Sequence, residues 1–453
     1  MMTPGNPYLS KSRVISAWQC AKKLHLEKHH PDWGEVSAKT ESLFAVGRRV
    51  GEVAQTLYRT ADSIEIPFSR RVGLMVRRTA ELLSRSSEAP LFEATFQHEN
   101  VLVRVDILLP DNGRWRAVEV KASTSVKDYH VLDCAIQDWV MRNSGLDVTG
   151  ISLAHINNQF VYRGDGEYDG LLTEVDLTHE IRTVEPTVDD LVAGARLAVT
   201  GPMPEVAVGM QCRKPFECQF FRHCWPSGSQ YPITGLGGST KKLAEYVVRG
   251  YGDIREVPAD TITAETQARI HRVTQSGQPE ILDGALETLS ALAFPRYYLD
   301  FETIAPAVPF WKGTRPYAAV PVQWSCHIDD GAGDGSPVTM RHEEFLDISG
   351  APPMRQLAEA LIAVLGNSGP VLMYTNYEEQ VINSLIEWFP DLADSLQAIV
   401  DRLFDLHPVV KVNYYHPDML GSWSIKAVLP TMVPAMDYAK LEGIKEGTSA
   451  SDG

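Results

Sequence analysis

Two acidic side chains and a lysine could form one reactive centre in the first third of the chain. Asn112-Gly113 lies between two runs of alternating apolar residues. This combination is typical of a two-residue β-hairpin turn with positive φ at both positions. With these two residues as the turn, Asp106 lies directly across from Glu119. Carboxylates paired in this way destabilise the hairpin unless a positive charge neutralises them, so we expect a divalent cation there.

Alternation along the second strand places Glu119 and Lys121 on one face and Val118 and Val120 on the other. Two carboxylates and an amine on one face suit metal-assisted phosphodiester hydrolysis. The acids would hold Mg²⁺ or Mn²⁺, with the carbonyl of Val120 as a further candidate ligand. Lys121 would orient water or stabilise developing charge. Glu-Val-Lys is also a common solvated strand, but the paired acid and the predicted helix that follows favour the catalytic interpretation.

This arrangement resembles the PD-(D/E)xK nucleases of the RecB type. Asp106 matches the first acid of their motif, and Glu119-Val120-Lys121 matches its ExK element. The resemblance implies that Gln137, on the next helix, positions DNA or the metal ion. Met141 stands where the family usually has a tyrosine. The family's upstream histidine is absent, and Glu52 is a candidate to replace it.

Four cysteines form a second candidate site. Cys212, Cys218 and Cys224 lie within 13 residues of one another, whereas Cys20 lies near the start of the chain. In a chain that we expect to be cytoplasmic, such a cluster indicates metal ligation rather than disulfides. RecB-like nucleases of the AddB and CRISPR-associated kinds have one cysteine before the nuclease core and three after it, and this resemblance implies a structural 4Fe-4S cluster. The spacing differs from theirs, so tetrahedral zinc is an alternative.

A third group of acids lies near residue 300. On a strand, Asp300 and Glu302 share one face and could present two carboxylates to one metal ion. A later apolar strand leads into a predicted helix that carries Glu378. This order resembles the ribonuclease-H-like 3′–5′ exonucleases of the DEDD (DnaQ-like) superfamily, which implies that these three acids are metal ligands. A solvated strand end is the alternative. The family's closing acid has no counterpart, so we expect this domain to be truncated at its C-terminus.

Helices and strands must position these groups. We predict a serine-capped N-terminal helix that contains Cys20, and helices over 38–58 and 71–85, where apolar residues recur at helical spacing. Short helices are predicted over 239–290. The 453-residue length exceeds one typical core, so we expect two or three domains.

We predict an α/β fold class with three parts. Residues 1–230 would form a RecB-like, restriction-endonuclease-like PD-(D/E)xK domain with the cysteine cluster, and residues 231–292 a helical connector. Residues 293–453 would form a ribonuclease-H-like α/β domain. The phrases LSKSRVISAWQCAKKLHL, PYAAVPVQWSCH and GSWSIKAVLP carry a resemblance of the whole chain to a bacterial family that fuses these two domains, the second of unknown function.

The resemblance implies a cytoplasmic, metal-dependent DNA nuclease, an exonuclease acting on single-stranded or end-containing DNA. The chain has 44% hydrophobic residues and no apolar run long enough to span a bilayer, so no membrane partner is expected. The net charge of −16 argues against a protein that coats nucleic acid non-specifically, but not against a nuclease with acidic metal ligands. Two alternatives are a catalytically weak nucleic-acid-binding scaffold and an RNA exonuclease acting through the C-terminal domain.

Overall fold

The computed structural model describes residues 8–35, 38–85, 89–331 and 340–436. The fold is mixed α/β, with several sheets flanked by helices. The chain divides into two compact units. The first comprises Met1–Trp225 with Pro306–Phe310 and Arg315–Tyr317, and the second comprises Pro226–Ala305, Trp311–Thr314 and Ala318–Gly453. Within the described ranges, no helix combines the length and apolar character that crossing a bilayer requires.

One sheet organises the first unit. Its strands are β1 (Leu9–Ser10), β2 (Ile64–Glu65), β3 (Leu91–His98), β4 (Val101–Asp111), β5 (Arg114–Lys121), β6 (Val148–Ile156) and β7 (Leu172–Asp176). They lie in the order β2-β3-β4-β5-β6-β7, and β1 pairs with β4. The pairs β2–β3, β5–β6 and β1–β4 are parallel, and the other neighbours are antiparallel.

The helices of the first unit are α1 (Lys11–Gln19), α2 (Ala21–His29), α3 (Ala38–Tyr58), α4 (Val72–Ser84), α5 (Asp128–Asn143), α6 (Thr178–Val184), α7 (Val188–Thr200) and α8 (Phe221–Cys224). The predicted helices over 38–58 and 71–85 are therefore confirmed. Helix α5 is buried along most of its length and packs on the sheet, with Ile136 and Val140 in the same apolar cluster as Val103, Val105 and Ala117. Burying each such side chain contributes about 1.5–3 kcal/mol.

The prediction of one N-terminal helix through Cys20 is wrong. The Ser10 side chain caps α1 as expected by accepting a hydrogen bond from the amide of Arg13, but α1 ends at Gln19 and α2 begins at Ala21. Cys20 lies between them in extended backbone. The Gln19 side chain donates hydrogen bonds to the carbonyls of Gln211 and Phe216, so side-chain bonds to a distant segment hold the end of α1 where the helix breaks.

A second sheet organises the second unit. Its strands are β9 (Arg296–Ile304), β10 (Val320–Asp329), β11 (Met340–Leu346), β12 (Val371–Met373) and β13 (Leu403–Asp405), and a separate pair is formed by β8 (Glu280–Ile281) and β14 (Tyr414–Tyr415). The order is β11-β10-β9-β12-β13. Strand β10 is antiparallel to both of its neighbours, whereas β12 runs parallel to β9 and β13.

The helices of the second unit are α9 (Thr240–Val248), α10 (Glu265–Ser276), α11 (Gly284–Ser290), α12 (Met354–Leu365), α13 (Tyr377–Trp388), α14 (Ala393–Val400), α15 (Leu406–Asn413) and α16 (Ile425–Met432). The short helices predicted over 239–290 are present as α9, α10 and α11. One apolar cluster joins β9, β10 and β12 to α12, α13 and α14, with Leu357, Val371 and Ile382 fully enclosed. The expected C-terminal truncation concerns residues after 436, which lie outside the described residues.

Candidate functional site

The β4–β5 hairpin has the predicted register. Asp111 pairs with Arg114 at the turn, and φ is 51° at Asn112 and 78° at Gly113, as a type I′ turn requires. The ladder continues to Ile107 and Val118, one residue before the two acids. This prediction is confirmed, and the turn residues therefore bring Asp106 and Glu119 together.

Asp106 is held by the backbone of the opposite strand. Its Oδ2 accepts a hydrogen bond from the amide nitrogen of Val120 at 2.7 Å. This contact fixes the carboxyl group beside Glu119. Val120 thus contacts Asp106 through its backbone N–H group. That the Val120 carbonyl is a metal ligand stays a prediction.

Glu119 is the centre of the site and is only 3% exposed. Its Oε1 accepts hydrogen bonds from Lys121 Nζ at 2.6 Å and from Lys11 Nζ at 2.9 Å. Its Oε2 accepts a hydrogen bond from Gln137 Nε2 at 3.1 Å. The structure therefore brings together Asp106, Glu119, Lys121 and Gln137, four residues that sequence analysis selected.

Helix α5 adds a third acid, Asp133, which lies one turn before Gln137. Its Oδ2 accepts a hydrogen bond from Lys121 Nζ at 2.6 Å and lies 3.2 Å from Lys11 Nζ. Both ammonium groups therefore contact the same two oxygen atoms, Oε1 of Glu119 and Oδ2 of Asp133. Two lysines thus supply positive charge beside the acids, and the divalent cation expected there stays a prediction.

Burial and the lysines give the acids different proton affinities. Burial, with the Glu119 carboxylate as the next cause, raises the pKa of Asp106 to about 8. Burial would also raise the pKa of Glu119, but Lys11 and Lys121 outweigh it and hold that pKa below its usual range. The pKa of Lys121 is raised, because Glu119 and Asp133 outweigh its burial. Glu119 therefore holds a proton weakly, whereas Asp106 holds one more strongly than an exposed aspartate does.

The oxygen atoms of this site suit a hard cation. Gln137 is fully buried, and its Oε1 has no hydrogen-bond partner among the described residues. An unpaired buried carbonyl oxygen is costly, and a bound cation would satisfy it. No group of three or more histidine, cysteine, aspartate or glutamate side chains is already arranged to hold a metal ion within residues 8–35, 38–85, 89–331 and 340–436.

Glu52 makes its side-chain contact outside the hairpin site. It lies on α3, is exposed, and pairs with Arg49 at 3.3 Å. Among the hydrogen bonds and ion pairs of the described residues, none joins Glu52 to Asp106 or Glu119. Its predicted role in place of the family's histidine therefore has no contact to support it.

The four selected cysteines line one small cavity of about 20 Å³. All four are free cysteines, and the rest of the lining includes the basic and apolar residues Lys22, Lys23, Leu26, Phe220 and Phe221. Burial raises the pKa of Cys218 to about 11 and raises that of Cys224 as well. The other two cysteines, Cys134 and Cys326, are buried in the two apolar cores, as predicted.

The second unit gathers carboxylates at the ends of its parallel strands. On β9, Leu299 and Phe301 are buried while Asp300 is exposed and Glu302 half-buried, so the predicted alternation is confirmed. Strand β12 ends at Met373, and Glu378 follows in the first turn of α13. Because β9, β12 and β13 are parallel, their carboxyl ends meet at one edge of the sheet.

Glu378 is the buried member of this group, at 4% exposure. Burial raises its pKa to about 7, and the nearby carboxylates of Asp300 and Asp405 add to the shift. Its Oε2 has no hydrogen-bond partner in the part of the chain that the structure describes. Asp405, at the end of β13, accepts hydrogen bonds through Oδ1 from the amides of Thr375 and His407. Burial also raises the pKa of Glu302, and Lys426 opposes that shift.

Comparison with known proteins gives a family match in the C-terminal part of the chain. A domain of unknown function (DUF2779) matches residues 297–424. This range contains the four acids Asp300, Glu302, Glu378 and Asp405. No curated protein matches the chain.

Sequence reasoning missed Lys11, Asp133 and the contacts of Asp405. Asp133 could have been found, because residues four apart on a helix share a face and Gln137 was already selected. Lys11 gave no signal, since 108 residues separate it from Glu119. The pairing of β13 with β12 sets Asp405 opposite Met373 and brings it near Glu378.

Proposed function

We propose that the protein is a metal-dependent nuclease that hydrolyses phosphodiester bonds in DNA at the hairpin site, in a first unit of the PD-(D/E)xK type. One observation carries this proposal: Asp106, Lys121 and Gln137 all contact Glu119 or its strand within hydrogen-bonding distance. Acids, an amine and an unpaired amide oxygen in one buried place are costly to assemble, and such costs are typical of functional sites.

The candidate ligands are the carboxylates of Asp106, Glu119 and Asp133 and the unpaired Oε1 of Gln137. A bound Mg²⁺ or Mn²⁺ ion would supply Lewis acidity toward a phosphate oxygen and would lower the pKa of a bound water. Lys121 stabilises the negative charge that develops on the phosphate, because its ammonium group is kept protonated. The Val120 amide keeps the Asp106 carboxyl oriented.

We also propose that the four cysteines of the cavity bind a 4Fe-4S cluster or, as the alternative, a zinc ion. Four thiols are the donor set that selects these groups, because thiolates are soft ligands. Such a group would tie residue 20 to residues 212–224 and so contribute to folding. Its proposed role is structural.

The test is cleavage of a 5′-labelled single-stranded DNA by the full-length protein with Mg²⁺, with Mn²⁺, or with EDTA. We expect cleavage with either ion and none with EDTA, and RNA of the same sequence should be cut more slowly. Retained binding to the labelled strand without any cleavage would contradict the proposal and favour a nucleic-acid-binding scaffold.

A second candidate function is exonuclease action, on RNA, by a ribonuclease-H-like second unit. Two observations favour it: three antiparallel strands followed by two parallel strands in the order β11-β10-β9-β12-β13, and the unpaired Oε2 of Glu378 beside Asp300. Faster cleavage of RNA than of DNA, lost in Glu378→Gln but kept in Glu119→Gln, would support this function over the first.

A further inference from the structure

Lys11 makes the same contacts as Lys121, the lysine of the predicted motif. Each ammonium group lies within 3.2 Å of both Oε1 of Glu119 and Oδ2 of Asp133. Lys11 is also largely enclosed, with 17% of its side chain exposed. It is therefore a member of the hairpin site and not a surface lysine that meets an acid by chance.

The backbone around Lys11 is fixed by the strand that carries Asp106. Leu9 pairs with Val101 and Ser10 with Leu102 in a parallel bridge between β1 and β4. Leu9 is fully buried, and the Ser10 side chain caps α1, so Lys11 stands at a defined first position of that helix. Holding the Lys11 ammonium group in place therefore costs side-chain entropy alone, because the backbone at this position is already ordered.

Stability alone does not explain a second lysine here. Each buried ammonium group loses hydration, and the two lysines repel each other across the oxygens that they share. Apolar side chains of similar volume would often stabilise such a place as well or better. The net charge of the site, which a phosphodiester would meet, gives a better reason for the second lysine.

The net charge of the hairpin site depends on Lys11. The carboxylates of Asp106, Glu119 and Asp133 with the ammonium groups of Lys11 and Lys121 leave one net negative charge when all are ionised. One divalent cation turns this into one net positive charge, which matches the single negative charge of a phosphodiester. Without Lys11, the site with its cation would be neutral, and its attraction for the phosphate would be weaker.

We propose that Lys11 is a positioning residue of the hairpin site, which acts through Glu119 and Asp133, weakens the binding of the divalent cation and strengthens the binding of the phosphodiester. This inference rests on the proposed nuclease function. Lys11 would thus have opposite effects on the affinities for the cation and for the phosphodiester. An ordinary structural ion pair would not produce this combination.

The test compares Lys11→Gln, Lys11→Arg and wild type as full-length proteins purified in the same way. Lys28→Gln is the matched control, because Lys28 is an exposed lysine on α2 and its loss changes the net charge equally. Binding of Mn²⁺ alone is measured by electron paramagnetic resonance of the free ion. KM and kcat are measured on labelled single-stranded DNA with Mn²⁺.

We expect Lys11→Gln to bind Mn²⁺ several-fold more tightly, because one positive charge near the ligand oxygens is lost. Its KM for DNA should rise about tenfold, with a smaller change in kcat. Lys11→Arg keeps the charge and should stay near wild type in Mn²⁺ affinity. Lys28→Gln should match wild type in both measurements.

Unchanged or weaker Mn²⁺ binding by Lys11→Gln would overturn the inference, as would a higher KM that Lys11→Arg does not restore. Lys11→Met keeps the length of the side chain and replaces Lys11→Gln if that variant does not fold. If wild type cuts no DNA, the nuclease proposal fails, but the Mn²⁺ titration still decides whether Lys11 controls cation binding.

Discussion

Each of the two acidic sites contains a buried glutamate, and the charged neighbours of that glutamate differ between the sites. In the hairpin site, Lys11 and Lys121 neutralise Glu119 and keep its pKa low, so that this carboxylate stays ionised although it is buried. In the second unit, Glu378 is equally buried, and burial with its acidic neighbours raises its pKa to about 7. A cation entering the first site must compete with two ammonium groups and displace a proton from Asp106. One entering the second site must displace a proton from Glu378.

The different charged neighbours of Glu119 and Glu378 suit the two sites to different chemistry. The hairpin combines acids with a lysine that can stabilise a transition-state charge. The second unit has carboxylates at the ends of parallel strands, with Lys426 acting on Glu302. We therefore expect catalysis of DNA cleavage to lie in the first unit.

The largest expected effect is on cleavage. Lys121→Ala should lower the rate of DNA cleavage about 10²-fold or more, because removal of a preorganised charge stabiliser costs that much in other enzymes. The double variant Asp300→Ala with Glu302→Ala should keep most of the activity. The measurement is the single-turnover rate on labelled DNA with Mn²⁺. An active Lys121→Ala beside an inactive double variant would assign catalysis to the second unit instead.

The next prediction concerns the cysteine cavity. Cys218→Ala should lose most of the bound metal and some stability, because the cavity then has three thiols and the ligand set is incomplete. Cys134→Ala is the matched control, since Cys134 is a buried core cysteine outside the cavity. The measurements are iron and zinc per chain and the visible spectrum after anaerobic purification. Equal metal content in the two variants would contradict the assignment of Cys218 as a ligand.

A smaller effect is expected on the pH dependence of stability. In metal-free protein the pKa of Asp106 is about 8, above that of the unfolded chain, so its contribution to stability is complete below about pH 4 and is lost as pH rises through 8. Asp106→Asn does not titrate. Its melting temperature should therefore exceed that of wild type by an amount that grows from pH 4 to pH 8.

Asp147→Asn, which alters an exposed carboxylate, is the control for Asp106→Asn and should give no such trend. Thermal unfolding in EDTA at several pH values gives both comparisons. A wild type that is more stable than Asp106→Asn at pH 8 would mean that the buried carboxylate is well compensated without a metal ion.

The hairpin was predictable because its information is local. Asn112 and Gly113 fix the register, alternation then fixes the faces, and Gln137 follows on the next helix. The coarse α/β class and most helices were predictable for the same reason, since periodicity is a property of short stretches. The specific fold types of the two units remain part of the proposal.

The features that the sequence did not predict depend on contacts between distant parts of the chain. Lys11 reaches Glu119 only because β1 pairs with β4, and no local pattern predicts a two-residue parallel bridge. The helix break at Cys20 is accompanied by hydrogen bonds from Gln19 to residues almost two hundred positions later. Propensity favours a continuous helix there, and tertiary contacts override it.

The most direct test of the central claim is one assay on two matched substitutions. The single-turnover rate of DNA cleavage with Mn²⁺ is measured for wild type, Glu119→Gln and Glu378→Gln, each of which replaces a buried glutamate by its amide. The account predicts a loss of about 10²-fold or more for Glu119→Gln, because a metal ligand and the partner of both lysines is removed, and a rate near wild type for Glu378→Gln. An unchanged rate in Glu119→Gln, with cleavage lost in Glu378→Gln, would contradict it.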